Sequence, residues 1–152
     1  MRRPLRVALG SLQLPIAGVG AALVAFSLWN VYTLPPPPPE SDGFVHGLAG
    51  FFFLIIALSG FVLVAVGLLV PPGPGYGINF SRGQRLLFAY ALVAPVAGGI
   101  AFLTPVVVGF GAGGVIEWAF TLSFLVIASA PLAILLGLGW KTAAVAVARY
   151  RA

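Results

Sequence analysis

The chain has no cysteine and very little charge. Without cysteine it cannot form disulfides, thiolate metal sites or a cysteine nucleophile. Charged residues make up 7% of its 152 residues and hydrophobic residues make up 61%, whereas an ordinary soluble domain is about 25% charged. A soluble fold of this length still exposes about 30% of its unfolded-chain surface, which so few charges cannot cover. The composition therefore predicts that lipid surrounds most of the chain.

Four apolar runs are long enough to cross a bilayer. They cover residues 7–34, 44–70, 86–108 and 116–139, and none contains Lys, Arg or Asp. A hydrocarbon core of about 30 Å needs about 20 such residues as a helix. The sequence therefore predicts an all-α integral membrane protein, in which residues 1–152 form a single domain and a bundle of four transmembrane helices.

The segment GFGAGG at 109–114 fits the pattern G-x-G-x-x-G, but the acid that a dinucleotide site needs about 20 residues later is missing, so a tight turn is favoured.

The basic residues predict the orientation of the chain. All of them fall on one side of the predicted membrane: Arg2, Arg3, Arg6, Arg82, Arg85, Lys141, Arg149 and Arg151. The acids Glu40, Asp42 and Glu117 fall on the other side. Because basic loops resist translocation, we expect both termini to be cytoplasmic, in the cell membrane of a prokaryote. A cleaved signal peptide is the alternative for the N-terminus, but the apolar run to Leu34 exceeds the usual 7 to 15 residues.

Five consecutive prolines, Pro35 to Pro39, separate the first two runs. Proline ends a helix because it lacks the backbone N–H, and a run of prolines favours a stiff polyproline II segment. We interpret the run as a spacer, with Asp42 placed to cap the second helix. A docking site for a proline-binding partner is the alternative.

His46 and Glu117 are the candidate functional polar residues. Ionisable groups inside a membrane usually have a function, but both residues fall within about a turn of the predicted outer interface, where water can solvate them. An interfacial pair is therefore favoured over a catalytic or proton-carrying one. One histidine cannot supply two axial ligands to a haem. We assign no catalytic, cofactor-binding or metal-binding residue, and we expect no enzyme activity.

The segment SRGQR contains a capping box, since Ser81 is followed three residues later by Gln84. The third helix should begin here, with Arg82 and Arg85 beside its positive dipole end. These two arginines are candidate contacts for anionic lipid headgroups. Simple anchoring at the cytoplasmic interface is the favoured alternative.

Small residues spaced four apart predict close helix packing. The candidate positions are Gly18 with Ala22, Gly43 with Gly47, and Ala94 with Gly98. Because packing residues are plentiful and chemical groups are scarce, we expect an accessory or packing subunit of a membrane complex or of a homo-oligomer. The alternative is a small transporter or channel-like permeation protein. The expected partners are the lipid bilayer and other membrane subunits or a second copy, and no nucleic acid.

Overall fold

A computed structural model describes residues 3–108 and 114–150, and within these ranges the chain forms four helices and no named strand. The helices are α1 (Arg3–Tyr32), α2 (Phe44–Leu69), α3 (Arg82–Val108) and α4 (Gly114–Tyr150). All four are long and apolar enough to cross a membrane. The all-helical prediction is therefore confirmed. Of the turn predicted at 109–114, residues 109–113 lie outside the described residues, as do Arg2 and Arg151, and Gly114 begins α4.

Helix α3 begins at Arg82, at the predicted capping box and four residues before the apolar run that starts at 86. The capping box explains this start. The Ser81 N–H donates to Gln84 Oε1 at 2.8 Å, and the Gln84 N–H donates to Ser81 Oγ at 3.4 Å. The side chain of each residue thus accepts the backbone N–H of the other, so the predicted capping box is confirmed.

Helix α4 is longer than predicted, because it continues past 139 to Tyr150. The residues after Gly139 are rich in alanine and contain neither glycine nor proline, so nothing in them ends a helix. Its apolar part, Glu117–Tyr150, has 34 residues and is about 51 Å long at 1.5 Å per residue. That exceeds a hydrocarbon core of about 30 Å, so α4 is longer than one membrane crossing requires.

The four helices are arranged as two antiparallel hairpins. Helix α1 packs along α2, helix α3 packs along α4, and the hairpins meet mainly between α2 and α3. Among the described residues, α1 packs closely against no helix except α2. The predicted bundle is therefore open on the side of α1.

Glycine allows the backbones of α1 and α2 to touch. A Cβ atom added at Gly20 would lie 2.6 Å from the carbonyl oxygen of Gly60 and 2.6 Å from the backbone nitrogen of Val64. One turn further along α1 towards its start, a Cβ at Gly67 would lie 2.5 Å from the nitrogen of Ala17. Such spacing is typical of membrane helices that meet through small residues.

The second hairpin has a larger apolar core. Phe88 is fully buried between α3 and α4 and meets the ring of Phe80 edge to face, with ring centroids 5.0 Å apart. Gly137 accommodates it, because a Cβ there would lie 2.5 Å from Phe88 Cε1. Ile134 and four small side chains complete this core: Ala91, Ala94, Ala130 and Ala133.

The outer surface of the helices is apolar. Leu122, Leu125, Leu132 and Leu136 of α4 are 57 to 66% exposed. The chain presents 10459 Å² of surface, whereas a soluble monomer of 15.7 kDa would present about 7,300 Å². Both observations fit a multi-pass membrane protein, whose apolar surface faces lipid.

Because of the glycine contact, replacing glycine with alanine should have opposite effects on stability at two positions of α1 that are two residues apart. Gly20→Ala should destabilise the protein by about 1 to 3 kcal/mol, because backbone atoms of α2 cannot move out of the way of the new methyl group. Gly18→Ala should leave the stability equal or raise it by up to about 1 kcal/mol, since a Cβ there meets no atom within 4 Å and alanine favours helix. Thermal unfolding in detergent measures both. Equal melting temperatures for the two variants would contradict the contact.

Candidate functional site

Two loops at opposite ends of the helices carry most of the polar chemistry. The term proline end refers to residues 33–43, which join α1 to α2, together with the first two turns of α2. The term arginine end refers to residues 70–81, which join α2 to α3, together with the neighbouring helix ends. Because successive helices run antiparallel, these two loops lie at opposite ends of the molecule.

At the proline end, a half-open pocket of about 430 Å³ lies between the loop and the start of α2. Its walls are apolar on both sides: the rings of Pro35–Pro38 line the loop side, and Val45 and Ala49 line the helix side. Ser41, Asp42 and His46 supply the polar atoms. The pocket thus combines apolar walls with a few polar groups, as small-molecule sites do.

Local hydrogen bonds shape this loop. The Phe44 N–H donates to Asp42 Oδ1 at 3.0 Å, and the Gly43 N–H donates to Ser41 Oγ at 3.3 Å. Gly43 itself occupies the N-cap position of α2 with φ 71°, a left-handed conformation that favours glycine. Asp42 therefore accepts the N–H of Phe44 at the start of α2, but the predicted cap position is occupied by Gly43, and Asp42 is the residue before it.

The structure places His46 beside Asp42, and both line the proline-end pocket. His46 is half-buried there. Glu117 lies on α4, is exposed and is not among the residues that line this pocket. Within the described ranges, no group of three or more His, Cys, Asp or Glu side chains is placed to hold a metal ion.

At the arginine end, Gln13 of α1 binds the loop between α2 and α3. Its side chain is 1% exposed. Its Nε2 donates to the Ile78 carbonyl oxygen at 3.1 Å, and the Ile78 N–H donates to its Oε1 at 2.5 Å. The amide thus satisfies both backbone groups of one loop residue, as a neighbouring strand would. In the sequence, Gln13 is an isolated polar residue within an apolar run, and nothing around it indicates that it binds a loop.

Helix α4 holds the same loop from the other side. Lys141 Nζ donates to the carbonyl oxygen of Asn79 at 2.7 Å. Nearby, Gln84 Nε2 donates to the carbonyl oxygen of Gly137 at 3.3 Å. Arg82 and Arg85 lie in the first turn of α3 with exposed side chains. The two arginines are therefore in reach of solvent or of lipid headgroups.

The six predicted packing residues separate into two groups. Ala94 is buried, and Gly98 lies against α4, because a Cβ there would be 2.6 Å from Ile127 Cγ1 and 3.0 Å from the Ser123 carbonyl oxygen. The other four are not part of such a contact. Gly18 and Ala22 are exposed on α1, and Gly43 and Gly47 lie at the start of α2. A Cβ at Gly18, Gly43 or Gly47 meets no atom within 4 Å. The glycines that bring α1 and α2 together, Gly20, Gly60 and Gly67, are outside the predicted set.

Comparison with protein-family models, with curated proteins and with solved structures finds no match to this chain. The function is therefore argued from the geometry of the molecule itself.

The binding of Ile78 by Gln13 can be tested by substituting leucine. Gln13→Leu should expose the Ile78 N–H to exchange and should lower the stability by about 1 to 3 kcal/mol, because two part-buried hydrogen bonds are lost. Hydrogen–deuterium exchange of the loop 70–81 measures the first effect and thermal unfolding the second. Ser11→Ala is the matched control on α1, since the exposed Ser11 hydroxyl donates only to Ala8 O within its own helix. Unchanged exchange at Ile78 in Gln13→Leu would contradict the assignment.

Proposed function

We propose that this protein is a non-catalytic membrane subunit that associates through helix α1 with another transmembrane helix. The assembly is a larger membrane complex or an oligomer of this chain. We place it in the cell membrane with both termini cytoplasmic. The observation that supports the proposal is a line of small, exposed side chains on the face of α1 that points away from α2.

This α1 outer face follows a regular spacing. Successive members are separated by four and three residues alternately, so they form one stripe along the helix. Gly20 and Ala17, which contact α2, lie on the opposite side of the helix at about 100° per residue. The members of the stripe, all exposed, are Ser11, Pro15, Gly18, Ala22 and Ala25.

A small-residue face is a better surface for a helix than for lipid. Between helices in a bilayer, attraction comes from close van der Waals contact, so interfaces are enriched in small residues. The exposed face of α4 has the opposite character, with large side chains such as Leu125, Leu132 and Leu136 at 57 to 66% exposure. The α1 outer face therefore resembles the glycine contact inside the first hairpin more than it resembles the rest of the apolar surface.

The charges support the proposed orientation. Arg82, Arg85 and Lys141 lie at the arginine end, and Glu40 and Asp42 lie at the proline end. Since loops rich in Lys and Arg remain cytoplasmic, the arginine end is the cytoplasmic one in this proposal. The hydrogen bonds of Gln13 and Lys141 then hold the loop 70–81 against the helices on the cytoplasmic side.

Reporter fusions test the orientation. A fusion after Asp42 should report the outside of the membrane, and a fusion after Gly75 should report the cytoplasm, because the basic residues lie near the second position and the acids near the first. Paired alkaline phosphatase and green fluorescent protein fusions at both sites give the readout. The reverse pair of results would overturn the orientation.

Substitution of Gly18 tests the association. Gly18→Leu should lower the association constant about 10-fold to 100-fold, because a bulky side chain at a close contact costs about 1 to 3 kcal/mol. Crosslinking in native membranes, followed by identification of the crosslinked chains, measures the associated fraction and shows whether the partner is a second copy.

Gly139→Leu is the matched control for this experiment. Gly139 is also an exposed helix glycine with no atom within 4 Å of an added Cβ, but it lies on α4. It should crosslink like the wild type. Equal crosslinked fractions for Gly18→Leu and the wild type, or a wild-type chain that stays alone, would refute the proposed subunit function.

A further inference from the structure

We infer that the pocket at the proline end binds a small organic cation, an amine or quaternary ammonium with an apolar body. This inference is independent of the association through α1. It rests on the shape of the pocket, on the character of its walls and on the sign of the charge beside it.

Two other cavities lack this combination of groups. The groove between α2 and α3, near Leu58 and Pro95, is apolar except for Ser59, whose hydroxyl donates to the Ile55 carbonyl oxygen at 2.9 Å. The hollow along α4 from Trp140 to Ala148 is formed by one helix. Neither groove offers a charged group, whereas the proline-end pocket does.

The walls of the proline-end pocket suit an apolar body. Pro35–Pro38 of the loop and Val45 and Ala49 of α2 line a half-open space of about 430 Å³, and ligand sites usually measure about 300 to 1,000 Å³. Proline fixes the backbone angle φ, so the loop wall loses little conformational freedom when a ligand enters. Preorganisation of this kind favours binding.

The polar side of the pocket selects a positive group. Asp42 uses Oδ1 to accept the Phe44 N–H, and an ionised carboxylate keeps further lone pairs for a second partner. The chain's single histidine, His46, lines the same pocket. No Lys or Arg lines the pocket, and Glu40 lies two residues from Asp42. The local charge is thus negative and attracts an ammonium rather than an anion.

NMR of the imidazole tests the inference directly, because a chain with one histidine gives one set of imidazole signals. The purified full chain in detergent is titrated with benzylammonium and, separately, with benzyl alcohol, which has a similar apolar body and no charge. We expect a saturable shift of the His46 signals with benzylammonium and at least about tenfold weaker binding of the alcohol, a difference of about 1.4 kcal/mol or more.

Two substitutions separate specific pairing from general attraction. Asp42→Asn removes the charge and retains an oxygen for the Phe44 N–H, so it should weaken benzylammonium binding about tenfold or more. Glu40→Gln removes one charge from the same loop at a position that does not line the pocket, and it should change the affinity less than threefold. Ala49→Leu leaves every charge in place and fills the pocket, so it should abolish the shift.

Three results would overturn the inference. They are the absence of a saturable shift in the wild type, equal binding of the alcohol and the ammonium, and equal losses in Glu40→Gln and Asp42→Asn. If Asp42→Asn does not fold, Ala49→Leu decides: a saturable shift that survives in that variant places the cation elsewhere.

Discussion

The contact between the backbones of α1 and α2 at Gly20 and Gly60 determines where α1 lies. Because α1 packs against no other helix in the described part of the chain, its position depends on this interface and on the hydrogen bonds of Gln13 to the loop 70–81. Lipid supplies no hydrophobic force between helices, so close contact and hydrogen bonds must hold them together. The Ser27 hydroxyl adds such a bond across the hairpin, to the Phe53 carbonyl oxygen. A change in the Gly20 contact would therefore move both the α1 outer face and the loop that follows α1.

The relative position of the two hairpins depends on polar contacts as well as on the packing of α2 against α3. The loop 70–81 contains backbone groups that no helix satisfies, and near a bilayer each of these needs a partner. Gln13 supplies it from α1 and Lys141 from α4. The two outermost helices are thus linked through a loop between the inner two. Their connection does not require them to touch.

The number of helices, most of their ends and the capping box follow from the sequence, because hydropathy and local hydrogen bonding depend on neighbouring residues. The choice between Gly18 and Gly20 does not follow. Both are small residues on one helix, and spacing predicts that helices approach without giving the rotation that selects a face. The end of α4 is missed for another reason. The predicted span ends before Trp140 and Lys141, but the residues after them are rich in alanine, which favours helix, so α4 continues to Tyr150.

The candidate site is only partly predictable for the same physical reason. His46, Asp42 and the prolines are conspicuous in the sequence, but their grouping depends on how the loop folds onto α2. Connections between packed helices usually need about 2 to 8 residues, and residues 33–43 exceed that length. A flexible segment of this length could collapse onto the helix ends. Consecutive prolines resist such collapse, because each fixes φ and none donates a backbone hydrogen bond. The fixed φ angles of the prolines therefore favour a loop that leaves space between itself and the start of α2.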